Sequence, residues 1–309
     1  MKIIKNNSKN NWLITSGLCS LALGILTSIY LFFYSSNYDS DSSLSKYTNI
    51  PFLGFLLLAV VGAPIIEEIS FRGGFSKSRV FKLLSIVGLI GFSLIIANNT
   101  ITKIITFIFL CILIISFYKK NKALEITVFL LNAIIFSLFH LNTEDLLTIT
   151  SLAGFTFRFG FAMFSIWICL NFNLFRSILF HAVWNTTITA IISIAIFFPD
   201  KTINHYEDDD IKVTWHRQSK SLKSTVDFFT PNHTIKAKNC NAVFLLKSTE
   251  WSSKNNDRLT TDFIPTEPFM EYNFSINLKD TITTNQDLYK PIKRFLTDSK
   301  LIESIKNDD

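Results

Sequence analysis

Seven apolar segments fill residues 12–198 of this 309-residue chain, at about 12–34, 51–70, 80–97, 102–118, 124–141, 147–170 and 175–198, and none follows residue 200. A run of about 18 apolar residues is what crosses a hydrocarbon core as a helix. Inside lipid the backbone must also satisfy its own hydrogen bonds, which a helix does. The expected fold is therefore an all-α polytopic membrane helix bundle over 1–198, followed by a small soluble domain over 200–309. The third and fourth segments are the weak ones. Their apolar cores, Leu83–Ala97 and Ile104–Tyr118, would be only about 22 Å long as helices, against a core of roughly 30 Å. They read as a short hairpin or as two short spans, and because they come as a pair they leave the orientation of the rest unchanged.

Charge follows the same division. Lys2, Lys5 and Lys9 precede the first segment, which is long for a cleaved secretory signal and reads as a retained span. Arg72, Lys77, Arg79 and Lys82 follow the second, Lys119, Lys120 and Lys122 the fourth, and Arg176 stands at the start of the seventh. The intervening loops carry Asp39 and Asp41 with one lysine, Asn98-Asn99, and Glu144-Asp145. Basic loops alternating with loops that lack Lys and Arg are the positive-inside pattern. It predicts a cell-membrane protein whose tail lies on the outer face. The net charge of +6 is thus spent at span ends, and no basic stripe points to nucleic acid. Cys19, Cys111, Cys169 and Cys240 show no metal-ligand spacing and read as small core hydrophobes.

In the tail, Ile211–Trp215 and Tyr272–Leu278 alternate with period two and Ala242–Leu246 is a short apolar run. With Pro231, Pro265 and Pro268 between them, they suggest a β-rich domain closed by a helix near Lys290–Ile305. No catalytic motif is visible there.

Ionisable groups inside apolar segments are costly and face a bundle interior or a wet cavity. Those that stand out in 51–198 are Glu67, Glu68, Arg72, His140, Arg158 and His181. Glu68 and Arg72 are four apart and share a helix face, whereas Glu67 is rotated about 100° away and left for other work, such as general-base catalysis. Phe136 lies one turn before His140, placed to pack on its imidazole. His181 and Asn185, again four apart, present two hydrogen-bonding groups on one face, suited to an oxyanion or to gluing a bundle. Arg158 is expected to pair with a buried acid.

In order, Glu67-Glu68-x-x-x-Arg72, Phe136-x-x-x-His140 and His181-x-x-x-Asn185 resemble the motifs of the CPBP family of intramembrane proteases, which includes CAAX-processing and bacteriocin-related members. The resemblance covers roughly 50–198. It implies that Glu67 and His140 activate a water against a peptide bond, that His181 and Asn185 hold the oxyanion, and that Glu68, Arg72 and Phe136 brace the site. Its substrate would be a membrane-associated peptide or protein. A divalent metal such as zinc is left open by the resemblance, with Glu67, His140 and His181 as candidate ligands. No His-Glu-x-x-His helix is present, and we expect no obligatory metal. A non-catalytic peptide-binding or immunity protein is the alternative, and a proton-relay transporter a further one. The segment boundaries put Glu67 near the inner end of its span and His140 near the outer end of its own. A shared water demands one depth, and the motif order is the stronger constraint, so a boundary must shift or a helix must tilt or break.

Overall fold

A computed structural model describes residues 11–34, 51–97, 100–119, 121–141, 148–220, 224–230, 234–252, 263–267, 269–279 and 288–304. Several charges behind the orientation argument, among them Lys2, Lys5, Lys9, Asp39, Asp41, Asn98, Asn99, Lys120, Glu144 and Asp145, lie outside these residues. The chain divides into two compact units, Met1–Asp39 with Leu57–Thr187, and Ser40–Leu56 with Ile188–Asp309.

All seven apolar segments are helical. They are α1 (Asn11–Tyr34), a composite segment from Phe52 to Phe75, α4 (Arg79–Ile95), α5 (Thr100–Tyr118), α6 (Lys122–Leu138), α7 (Ile149–Asn171) and α8 (Leu174–Phe197). The composite segment runs as α2 (Phe52–Leu57), a π-helical turn (Leu58–Gly62), α3 (Ala63–Arg72) and a 3₁₀ turn (Gly73–Phe75). Five are long and apolar enough to cross a membrane: 11–31, 52–75, 100–118, 149–171 and 174–197. The fourth segment, expected to be short, is among them, while α4 and α6 have 17 residues each. Their outward faces carry bare apolar side chains such as Leu26, Leu94, Ile95 and Phe107, as a lipid solvent permits.

Helix α1 lies against α7 at backbone distance. A Cβ added at Gly24 would stand 2.7 Å from the backbone of Phe157, and one at Gly160 would stand 2.5 Å from the amide of Leu21. Small residues at such crossings let dispersion act between backbones where no hydrophobic effect drives helices together. Helix α7 also packs on α6, and α3 on α4. A cluster including Phe71, Phe109, Phe129, Phe136, Phe161 and Met163 fills the interior.

The soluble part is a five-stranded antiparallel sheet in the order β1-β2-β6-β4-β3, from Asn204–Glu207, Ile211–Gln218, Glu271–Leu278, Thr234–Cys240 and Thr225–Thr230 respectively. Helices α9 (Ala242–Ser252) and α10 (Tyr289–Asp298) complete it, with a two-stranded pair of β5 (Phe263–Pro265) and β7 (Ile302–Ser304). The two period-two stretches are β2 and β6, as alternation predicts. Ala242–Leu246 is instead the start of α9, because the Asn241 side chain accepts from the Phe244 amide at 2.7 Å and caps a helix there. The closing helix stops at Asp298 and is followed by β7, short of the expected Ile305. This second unit also takes in Phe52 and Phe55, whose rings pack on Phe269, and Phe197, whose ring meets Phe52.

Candidate active site

Three motif-bearing elements meet in the membrane unit. Glu67, Glu68 and Arg72 stand on α3, His140 follows the last turn of α6, and His181 and Asn185 stand on α8. His140 Nε2 is 3.6 Å from Glu67 Oε2, and His181 Nε2 is 3.9 Å from the same oxygen. Glu67 and His140 thus share one depth. The conflict in the boundaries dissolves because the span runs on to Phe75 rather than ending at residue 70, so Glu67 is well inside it. Asn132 fixes the register. From the middle of α6 its Nδ2 donates across to the Phe71 carbonyl at the end of α3, 2.7 Å away, with the residue fully buried.

The proton positions follow from what each partner can do. His140 Nδ1 lies 2.7 Å from the Phe136 carbonyl, which can only accept, so Nδ1 carries a proton, and in the neutral ring Nε2 then faces Glu67 with its lone pair. His181 Nδ1 lies 3.0 Å from Glu68 Oε1. An ionised carboxylate also only accepts, so here too Nδ1 donates and Nε2 points at Glu67. The Phe136 ring packs on His140 at 4.7 Å between centroids and lies 4.3 Å from the Arg72 guanidinium carbon. The Phe161 ring meets His181 edge-on at 4.9 Å.

Burial separates the two carboxylates. Glu68 and Arg72 are completely buried, and Glu67 and His140 side chains are 15% and 33% exposed. The Glu68–Arg72 pair stands at 3.6 Å. Glu68 further accepts from Ser165 at 3.0 Å and Ser177 at 2.5 Å. Glu67 Oε2, by contrast, is a buried oxygen with no hydrogen bond. The reachable carboxylate is thus the one left unbonded.

Asn185 is committed to the backbone. Its Nδ2 donates to the Ala59 carbonyl at 2.8 Å. The Ala63 amide closes the π turn by bonding to Leu58. In that register the next donor, for Ala59, would be the amide of residue 64, which is proline. Asn185 supplies the missing proton and ties α8 to the break before α3. Arg158 is half-buried on α7, with its guanidinium lying back toward Gly154 one turn away.

Residues 49–187 match a family model described as type II CAAX prenyl endopeptidase Rce1-like. This stretch, a little under half of the chain, is similar to the Rce1-like family. No curated protein and no solved structure matches the chain. The likeness supports intramembrane peptide hydrolysis at the level of the family, in agreement with the resemblance read from the motifs. The metal question is one of geometry. Among the described residues, no three His, Cys, Asp or Glu side chains are grouped as a metal site requires, and Glu67, His140 and His181 form no such ligand set. The match lends no support to a metalloprotease assignment.

Sequence reasoning missed Ser165, Ser177 and Asn132. Ser177 carried one signal, since it precedes His181 by four residues and so shares its face. Ser165 and Asn132 carried none beyond being polar in an apolar helix.

Proposed function

We propose that this Rce1-like protein is an intramembrane endopeptidase that hydrolyses membrane-associated peptides with a water activated by Glu67 and His140. The observation that supports this most is Glu67 Oε2, which accepts no hydrogen bond and faces Nε2 of His140 and of His181, two rings whose Nδ1 atoms meet acceptors. A carboxylate and an imidazole lone pair side by side form a site for a donor of two protons, and water is that donor. In the reaction the water oxygen attacks the carbonyl carbon and Glu67 takes a proton. The negative charge collects on the former carbonyl oxygen. The C–N bond then breaks as a proton passes to the leaving amine. His140, held by Phe136, orients the water.

The oxyanion falls in this reading to His181 and to the second Nδ2 proton of Asn185, the first being held by the Ala59 carbonyl. With Nδ1–H given to Glu68, His181 donates from Nε2 once the proton that Glu67 took from the water has passed to it, and the Glu68 carboxylate compensates the imidazolium charge until that proton goes on to the leaving amine. Glu68 and Arg72 are the brace beneath it. The protein is proposed to reside in the cell membrane with its C-terminal domain on the outer face, on the strength of the alternating basic loops.

The test compares N-terminal peptide profiles of membranes from cells carrying the native chain and Glu67→Gln at equal abundance. New N-termini present with the native chain and lost with the variant are expected. Identical profiles, or cleavage that survives in Glu67→Gln, would sink the proteolytic reading.

A further inference from the structure

The hydroxyls of helical Ser and Thr in an apolar setting usually bond back to the carbonyl four residues earlier. This chain follows that habit at Ser70, Thr106, Ser137, Thr156, Thr186 and Ser193. Ser165 and Ser177 depart from it. Both are fully buried, and both turn away from their own helices toward one carboxylate on a third. Ser177 Oγ is 2.5 Å from Glu68 Oε2, Ser165 Oγ is 3.0 Å from it, and the two hydroxyls are 2.8 Å apart. Ser177 Oγ also lies 3.1 Å from the Ser165 carbonyl.

Each hydroxyl has one proton. The shortest contact assigns the Ser177 proton to Glu68. The Ser165 proton then lies between Ser177 Oγ and Glu68 Oε2, so α7 supports α8 in supporting α3. With Oε2 held this way and Arg72 alongside, the carboxylate plane is fixed and Oε1 is left for one partner, His181 Nδ1.

We propose that Ser177, supported by Ser165, is a positioning residue of this site, locking Glu68 so that His181 carries its proton on Nδ1 and presents Nε2 toward Glu67. Its purpose rests on the proteolytic reading above, but its test does not. An imidazole set free of a fixed acceptor exchanges between tautomers, whereas one held by a locked carboxylate does not. The serines therefore act through proton location, which a packing role would leave unchanged.

The experiment is nitrogen-15 NMR of the full chain in detergent micelles, with only histidine labelled. The chain has five histidines, and the His181 signal is identified by its loss in His181→Gln. The native chain is expected to show His181 with its proton on Nδ1. Ser177→Ala is expected to lose that signature and give a tautomer mixture, Ser165→Ala to lose it in part, and Ser177→Thr, which keeps the hydroxyl, to retain it. A folded Ser177→Ala chain with the native His181 signature would overturn the proposal. If Ser177→Ala does not fold, an unchanged signature in Ser165→Ala together with its loss in Ser177→Thr does so. Survival of cleavage in Glu67→Gln bears on the proteolytic reading alone and leaves this result standing.

Discussion

At the scale of single residues, the site rests on a charge that no hydrogen bond holds. Arg72 is fully buried, and its three guanidinium nitrogens make no hydrogen bond. Its stabilisation comes from Glu68 at 3.6 Å and from the Phe136 ring beneath it. Removing one partner of a buried pair strands the other charge, at a cost of about 3–5 kcal/mol. Arg72→Met is therefore expected to unfold at markedly lower temperature in detergent than the native chain. Adding Glu68→Gln should restore part of the loss, because the stranded charge goes with it. A double variant no more stable than the single one would show that Arg72 acts by packing alone. These residues were legible in the sequence because charge is rare in apolar segments and their spacing is helical. Serines are common there, so Ser165 looked like any other, and only contacts across 97 residues of chain give it a role.

Among the elements, the break at Leu58–Gly62 has a chemical cause. Pro64 removes the amide that the Ala59 carbonyl would use, and Asn185 replaces it. An unsatisfied buried carbonyl costs about 1–3 kcal/mol. Asn185→Ala should destabilise the membrane domain by that order, measured by denaturant titration in micelles. Pro64→Ala returns a backbone donor, so Asn185→Ala should cost measurably less in a Pro64→Ala background. Equal costs in both backgrounds would dissociate the two residues. The seven helices themselves were readable from hydropathy, but their ends were not. Hydropathy falls off at Ser70–Gly73, yet the helix continues there because Glu68 and Arg72 find partners inside the bundle and Asn132 holds the Phe71 carbonyl. In the tail, alternation identified β2 and β6, while the five-residue apolar run Ala242–Leu246, read with the strands, is helical behind its Asn241 cap.

For the whole molecule, the sequence marked the change from lipid to water near residue 199, and the compact units divide instead at Thr187 and Leu57. Hydropathy reports the solvent along the chain, whereas the units report packing, so the two lines need not coincide. The proposed orientation is checked by a C-terminal tag: in intact cells it should be cut by added protease, and protection until the membrane is permeabilised would reverse the assignment. The tie between α3 and the last two membrane helices also bears on how the protein is made. Glu68 finds its partners on segments synthesised 97 to 113 residues later, which at roughly 5–20 residues per second is a delay of about 5–20 s. During that time Glu68 and Arg72 have only each other on the segment, and Glu67 has neither histidine beside it. The hydroxyls and the imidazole that hold Glu68 arrive only with α7 and α8, so the site is completed long after the segment that carries its carboxylates has been made.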